Sequence, residues 1–262
     1  MKDKIVICFF GVIARSLRYT HFNLKNNLIE ICKRCYDVDI YIFNNNIENT
    51  PIDGEKVNNN DKKLLDADFI EEEKQVNIDL KIKKLVSEKN IICKMRRDYT
   101  PTWIINSIRQ MYSEEKVGNF LEKNKHKYKC AIVCGPDYFL LNQIKIIDIQ
   151  DSIKNKNCVY TTRVNDAQGY TNGFYIGAPE PIIKITKRFS ILDKLLPTDK
   201  DYEYLLKKTF GMKNVERKIT ETLFFKIRSS KEVARQGIMQ HPYFTNIFTN
   251  VTNIIKNIKI AD

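Results

Sequence analysis

Two short apolar runs, Ile5–Phe10 and Val38–Phe43, constrain this chain more than any other feature. Both are rich in β-branched and aromatic residues and both are bounded by polar sequence, the pattern of a strand buried on two faces. Between them, Asn23–Cys35 places Leu24, Leu28, Ile31 and Cys32 on one helical face. Two buried strands joined by a helix make a βαβ unit, whose strands are parallel and whose sheet needs a helical cover on both sides. The expected fold class is therefore α/β, with a mixed, mostly parallel central sheet flanked by helices.

The rest of the chain fits that order. Cys130–Cys134 is a third buried strand, and Cys158–Thr161 and Gly173–Ile176 read as two more. Helices are expected over Leu80–Ser87, Trp103–Tyr112, Lys116–Asn124, Ile144–Lys154, Pro181–Ser190, Asp201–Phe210 and Glu221–Ser229. Gly11–His21 reads as a loop, Ile91–Met95 as a short strand, and the tail from Gly237 as irregular until Val251–Ile258. With no repeat, linker or shift of composition, residues 1–262 are expected to form a single domain.

Composition narrows the partners. The chain carries 44 Lys+Arg against 32 Asp+Glu, a formal charge of +12, which favours anionic ligands. The lysines are spread along the whole length and form no basic stripe with interleaved aromatics, so no nucleic-acid partner is expected. The front end, Met1–Lys4 followed by Ile5–Ala14, imitates a signal peptide, but Arg15 and Arg18 follow at once and no small-x-small site appears. No stretch approaches the ~18 apolar residues of a membrane span. A soluble, cytoplasmic protein is expected. The seven cysteines suit reduced core positions, and the Cys32/Cys35 pair sits in a helix with no second pair or nearby His, so neither zinc nor redox chemistry is expected of it.

In sheets of this kind ligands bind off the carboxyl ends of the strands, and several loops there carry chemistry. Gly135-Pro136-Asp137 ends the third buried strand, placing a carboxylate suited to a hard divalent cation, or to capping the next turn. Gly11, Arg15 and Ser16 follow the first strand, where Gly11 permits a tight exit and the other two suit a diphosphate. The loop from Arg163 to Gly177 is rich in glycine, amides and hydroxyls. In it Asp166 suits a general base, Asn165 a ligand contact, and Gly173 a close backbone approach. Arg109 lies on a helix that either faces the ligand or solvent, and His241 falls in a late segment able to fold back as a metal ligand. The GxxxxGK[ST] and GxGxxG spacings are absent, as is a Gly-x-Ser-x-Gly elbow.

Taken in order, Phe9–Ser16 (FFG-x-x-x-RS), Arg109–Glu114 (RQ-x-Y-SE), Val133–Phe139 (V-x-GPDYF) and Asn165–Gly177 (ND-x-x-x-x-x-NGFYIG) resemble the motifs of GT-A type nucleotide-sugar glycosyltransferases, particularly those of large DNA viruses. The resemblance spans roughly residues 5–240. It implies a GT-A-like (Rossmann-like) domain that takes a nucleoside-diphosphate sugar as donor and a glycan or other hydroxyl compound as acceptor. It also implies Mn²⁺ or Mg²⁺ as cofactor, held by Asp137, and Asp166 or Glu221 as the proton acceptor. For the viral relatives it implies the host cytoplasm or virion. One departure stands out: the usual Asp-x-Asp is Gly135-Pro136-Asp137 here, with a single carboxylate. A relic that binds nucleotide or glycan without turnover is the alternative reading, and a basic nucleic-acid-binding module a second.

Overall fold

The computed structural model describes residues 2–47, 58–94, 100–198, 200, 202–235 and 237–258. β1 (Lys4–Gly11) alternates between two cores: Ile5, Ile7 and Phe9 enter one, while Val6, Cys8 and Phe10 enter the other. This period of two is what a strand covered on both faces requires. The chain then makes a 3-10 turn at Ile13–Arg15 and enters α1 (Leu17–Leu24). A π-helical stretch at Lys25–Ile29 carries it into α2 (Glu30–Cys35). The expected loop over Gly11–His21 is thus partly helix, because Leu17, Thr20 and Leu24 begin the buried stripe that Leu28, Ile31 and Cys32 continue. β2 (Asp37–Asn46) returns parallel to β1, with Lys4 opposite Asp37 and Gly11 opposite Asn44, which completes the βαβ unit.

β3 (Phe69–Lys74) extends the sheet parallel to β2; its run of three glutamates hides it from a hydrophobicity reading. α3 (Gln75–Lys89) contains the expected Leu80–Ser87 helix. α4 (Ile91–Lys94) replaces the strand expected over Ile91–Met95, of which Met95 lies outside the described residues. α5 (Pro101–Asn124) is one helix where two were expected. The polar pair Ser113-Glu114 reads as a break, yet both side chains are fully buried: Ser113 donates to the Asn45 side chain and Glu114 meets Arg188 at 2.8 Å.

β4 (Cys130–Cys134) lies parallel to β1 on the side away from β2. β5 (Tyr138–Leu140), α6 (Ile146–Lys154), β6 (Cys158–Thr161) and β7 (Phe174–Gly177) follow. β7 runs antiparallel to both of its neighbours, β4 and β6. After α7 (Pro179–Thr186), α8 (Leu192–Leu195) and α9 (Tyr202–Met212), β8 (Glu216–Ile219) joins β6 in parallel. Asp201, the expected start of the α9 helix, lies outside the described residues. The sheet order β3-β2-β1-β4-β7-β6-β8 is the mixed, mostly parallel arrangement expected, with α3, α5, α7 and α9 packed into one core and α1, α2 and α6 into the other.

The segment Glu221–Ser229, expected to be helical, instead holds strand β9 (Phe224–Ile227). It pairs antiparallel with β5 and with β10 (Val233–Ala234) in a second, three-stranded sheet. Alternation decides this: Phe225 and Ile227 are buried while Lys226 and Arg228 are half-buried, the period of a strand. The tail helix α10 (Thr245–Asn257) begins earlier than the expected Val251, and sets Val251 and Ile255 into the α1 side of the core. No helix among the described residues is long and apolar enough to cross a membrane.

The Glu114–Arg188 pair joins α5 to the segment after α7 with both side chains at 0% exposure. Burial pushes the Glu114 carboxyl above its ordinary range, while Arg188, Gln110 and Tyr175 pull it back. Removing one partner leaves a buried charge uncompensated. Arg188→Met is expected to cost about 3–5 kcal/mol in urea unfolding; a cost under about 1 kcal/mol would show that the pair is dispensable.

Candidate functional site

Parallel register brings the carboxyl ends of four strands to one edge. Phe9 lies opposite Cys134, Gly11 opposite Asn44 and Asn46 opposite Lys74. A hollow of about 1410 Å³ opens there, bounded by these strand ends, by α3 and α5, and by β9 and the segment after it. Gly11 turns the chain out of β1 at φ +101°, in open space, a conformation in which glycine carries no steric penalty.

Ile227 ties the rim together. Its N–H donates to the Asp137 carbonyl at 2.8 Å, and its carbonyl accepts from Ser16 Oγ at 2.5 Å. Thr20 Oγ1 adds a bond to the Pro136 carbonyl at 2.6 Å. Ser16 is fully buried, so its hydroxyl fastens the β1 exit to β9.

Asp137 follows directly from this lock. It lines the hollow, is half-buried, and its carboxylate has no hydrogen-bond or ion-pair partner among the described residues. Burial, and then the charge of Asp137, push the Cys134 thiol well above its ordinary range. A Cβ on Gly135 would come within 2.9 Å of both Asp137 Oδ1 and the Tyr138 ring, so a side chain there would displace the carboxylate or press on the buried ring. Behind the turn, Gly173 stands at φ +85°, where a Cβ would fall 2.7 Å from the Tyr138 hydroxyl oxygen. Its carbonyl accepts from Gly135 N–H at 2.9 Å. Gly173 therefore supports the turn from behind.

Other expected residues divide into those brought to the hollow and those held elsewhere. Arg15, Arg109 and Asn165 line it. Arg109 is committed to Asp79 by two bonds of 2.8 Å, and Asn165 Nδ2 donates to Glu203 at 3.0 Å. Asp166 is different: Arg217 Nη2 donates to both of its carboxylate oxygens, at 2.7 and 2.8 Å, and Thr171 donates to it through both N–H and hydroxyl. The hollow is lined by its neighbours Asn165 and Ala167. Asp166 thus anchors the loop, with three of these bonds on Oδ1 and one on Oδ2. Glu221 is 74% exposed and paired with Lys145, outside the hollow. His241 is exposed, and its Nδ1 accepts from Tyr243 N–H, capping a short turn away from Asp137. Among the described residues no three His, Cys, Asp or Glu side chains form a group able to hold a metal.

Two cations of the rim escape a sequence reading. Lys226 lines the hollow from β9 and Arg228 from the position directly after it, and neither has a hydrogen-bonded or ion-paired partner for its side chain among the described residues. Lys226 Nζ lies 5.4 Å above the Tyr138 ring, which itself stacks on Phe224 at 3.9 Å. The available signal is the alternation Phe225, Lys226, Ile227, Arg228, which assigns a strand with one cationic face.

No family model matches this sequence, and no curated protein does. Among solved structures, mouse xyloside xylosyltransferase 1 in its apo form superposes with a TM-score of 0.44 at 9% identity, over 83% of this chain and 85% of that one. A likeness this distant assigns no chemistry.

If Asp166 serves as an anchor, its partner matters as much as it does. Asp166→Asn and Arg217→Gln are expected to destabilise the fold to a similar degree, about 1.5–3 kcal/mol each, the worth of charge-assisted hydrogen bonds. A double variant should be no worse than either single change. An Asp166→Asn protein of unchanged melting temperature that has lost all turnover would return Asp166 to the role of a base.

Proposed function

We propose that this protein is a glycosyltransferase that moves a monosaccharide from a nucleoside-diphosphate sugar to a hydroxyl acceptor, with the donor's diphosphate seated beside Asp137. The observation that carries this reading is an unpaired, half-buried carboxylate on a rigid turn at the carboxyl edge of the sheet. Isolated carboxylates in such a setting are costly to keep without a ligand to complete them. Segments of three of the four glycosyltransferase-like motifs, at Gly11 and Arg15, Asp137, and Asn165, bound the same hollow, and Arg109 of the remaining one faces it from α5.

A hard divalent cation fits this donor set in one form only. Mg²⁺ or Mn²⁺ accepts one carboxylate when water and substrate phosphates complete its shell, so Asp137 suits a cation that arrives with the diphosphate. Bound there, such an ion neutralises charge on the departing nucleoside diphosphate. The protein's own part is to hold the carboxylate still, through Ile227 and Gly135, and to shape a crevice in which the donor is oriented.

A second reading, binding without turnover, is favoured by a specific observation. Both residues expected to accept the acceptor's proton are engaged, Asp166 by Arg217 and Glu221 by Lys145. Hydrolysis or transfer from a nucleotide sugar separates the two readings.

A thermal-shift panel of nucleoside diphosphates and their sugar conjugates, with and without Mn²⁺, tests the leading one. A ligand at 100 times its Kd adds about 2.7 kcal/mol of apparent stability. Wild-type protein is expected to shift with at least one nucleotide, and Asp137→Asn to lose the Mn²⁺-dependent part of that shift. An unchanged Mn²⁺ response in Asp137→Asn would remove Asp137 from the site.

A further inference from the structure

We propose that Lys226 of β9 and Arg228, the residue directly after its end, form a diphosphate subsite of their own, one that takes up anionic charge without help from a metal ion. The inference rests on the transferase reading only for the name of the ligand; the subsite itself stands on its geometry.

Lys226 lies in β9 and Arg228 directly after its last residue, with Ile227 between them buried in the core, so the two cations reach the hollow from neighbouring positions on the chain. Both line the hollow, and both lack a hydrogen-bonded or ion-paired partner among the described residues. On this rim Lys83 shares that lack, but other cations are paired. The neighbouring cation Arg109 is bound in a fork to Asp79, and Arg217, on the far side of the Asn165–Gly173 loop, is bound to Asp166.

Their place is fixed as firmly as that of Asp137. Tyr138 lies opposite Lys226 in the β5–β9 ladder, the Asp137 carbonyl accepts from Ile227 between the two cations, and the Lys226 ammonium rests over the Tyr138 ring. The carboxylate and the two cations are therefore borne on adjoining residues of one rigid hairpin-like pairing. The lining carries Arg15, Lys74, Lys83, Arg109, Lys226 and Arg228 against Asp79, Asp137, Glu203 and Glu232, a net positive hollow that attracts a polyanion more strongly than a free metal ion. Arg228 offers the planar fork that matches phosphate oxygens, and Lys226 a compact point charge.

The consequence is an order of events. The diphosphate binds first to Lys226 and Arg228, and a divalent cation, where present, adds to the Asp137 side of an anion already in place.

Inorganic pyrophosphate in EDTA is the probe, titrated calorimetrically into wild type, Lys226→Gln, Arg228→Gln, the double variant, and Lys256→Gln on α10 as a control of equal charge change. Circular dichroism and melting curves establish that each variant is folded. Wild type and the Lys256 variant are expected to bind alike, each single variant about tenfold or more weaker, and the double variant weaker still, as the loss of charge-assisted bonds requires. Equal affinity of the double variant and wild type overturns the subsite, and so does a wild type that binds no pyrophosphate in EDTA. A parallel titration with UDP-glucose and GDP-mannose in Mn²⁺ keeps the two claims apart. Nucleotide-sugar binding that survives in the double variant leaves the transferase reading standing without the subsite. Pyrophosphate binding that depends on Lys226 and Arg228, with no nucleotide sugar competing for it, leaves the subsite and removes the transferase.

Discussion

The candidate site depends on one buried residue of β9. Ile227 donates its amide to the Asp137 carbonyl and accepts the Ser16 hydroxyl on its own carbonyl, joining the exit of β1, the turn after β4 and the second sheet. Ser16 and Ile227 are 211 residues apart in sequence. Because all three groups are buried or nearly so, water cannot replace the bonds, and an unpaired amide or carbonyl there would carry a desolvation cost. The apolar side chains of Phe224, Phe225 and Ile227, all fully buried, hold the strand down. Polar satisfaction and core packing thus act on the same short strand, and the position of every group on that side of the hollow follows from it.

Charge pairing gives the rim its functional character. Around it, ionic groups are neutralised within the protein: Arg109 with Asp79, Arg18 with Asp61, Arg217 with Asp166, Glu114 with Arg188. Against that background Asp137, Lys226 and Arg228 lack such a partner among the described residues, as do Lys83 and Glu232 at the edge of the hollow. Structural ion pairs fix loops and helices, whereas unpaired charges held on rigid backbone wait for an external counter-charge. The division explains why carboxylates with equal claims on composition differ in role. Asp166 accepts four donor bonds, and Asp137 none that the described residues supply to its carboxylate.

Local patterns made much of this legible. The runs Ile5–Phe10, Val38–Phe43 and Cys130–Cys134 are strands buried on two faces, and their parallel order located the edge at which Gly11, Arg15, Asp137 and Asn165 meet. Readings failed where tertiary partners outweighed local signals. Ser113 and Glu114 look like a helix break, but Asn45 and Arg188 satisfy them inside one continuous helix. Glu71–Glu73 look like a solvated loop, yet they sit on an edge strand with Lys62, Lys81 and Lys116 as partners. Asp166 and Ser16 have the composition of ligand contacts, and only the placement of Arg217 and Ile227 reveals them as anchors. The strand at Phe224–Ile227 was readable from its alternation, although five apolar or cationic residues in a row also suit a helix.

The central claim is that a nucleoside diphosphate lies against the joined ends of β1, β4 and β9. Hydrogen-exchange mass spectrometry with and without a saturating nucleoside diphosphate measures it most directly, since a bound ligand slows exchange in the segments it orders. Added protection is expected in the peptides covering residues 9–16, 133–140 and 224–230 together, because Ile227 couples them. Protection confined to other segments, or absent while the nucleotide is demonstrably bound, would contradict the account.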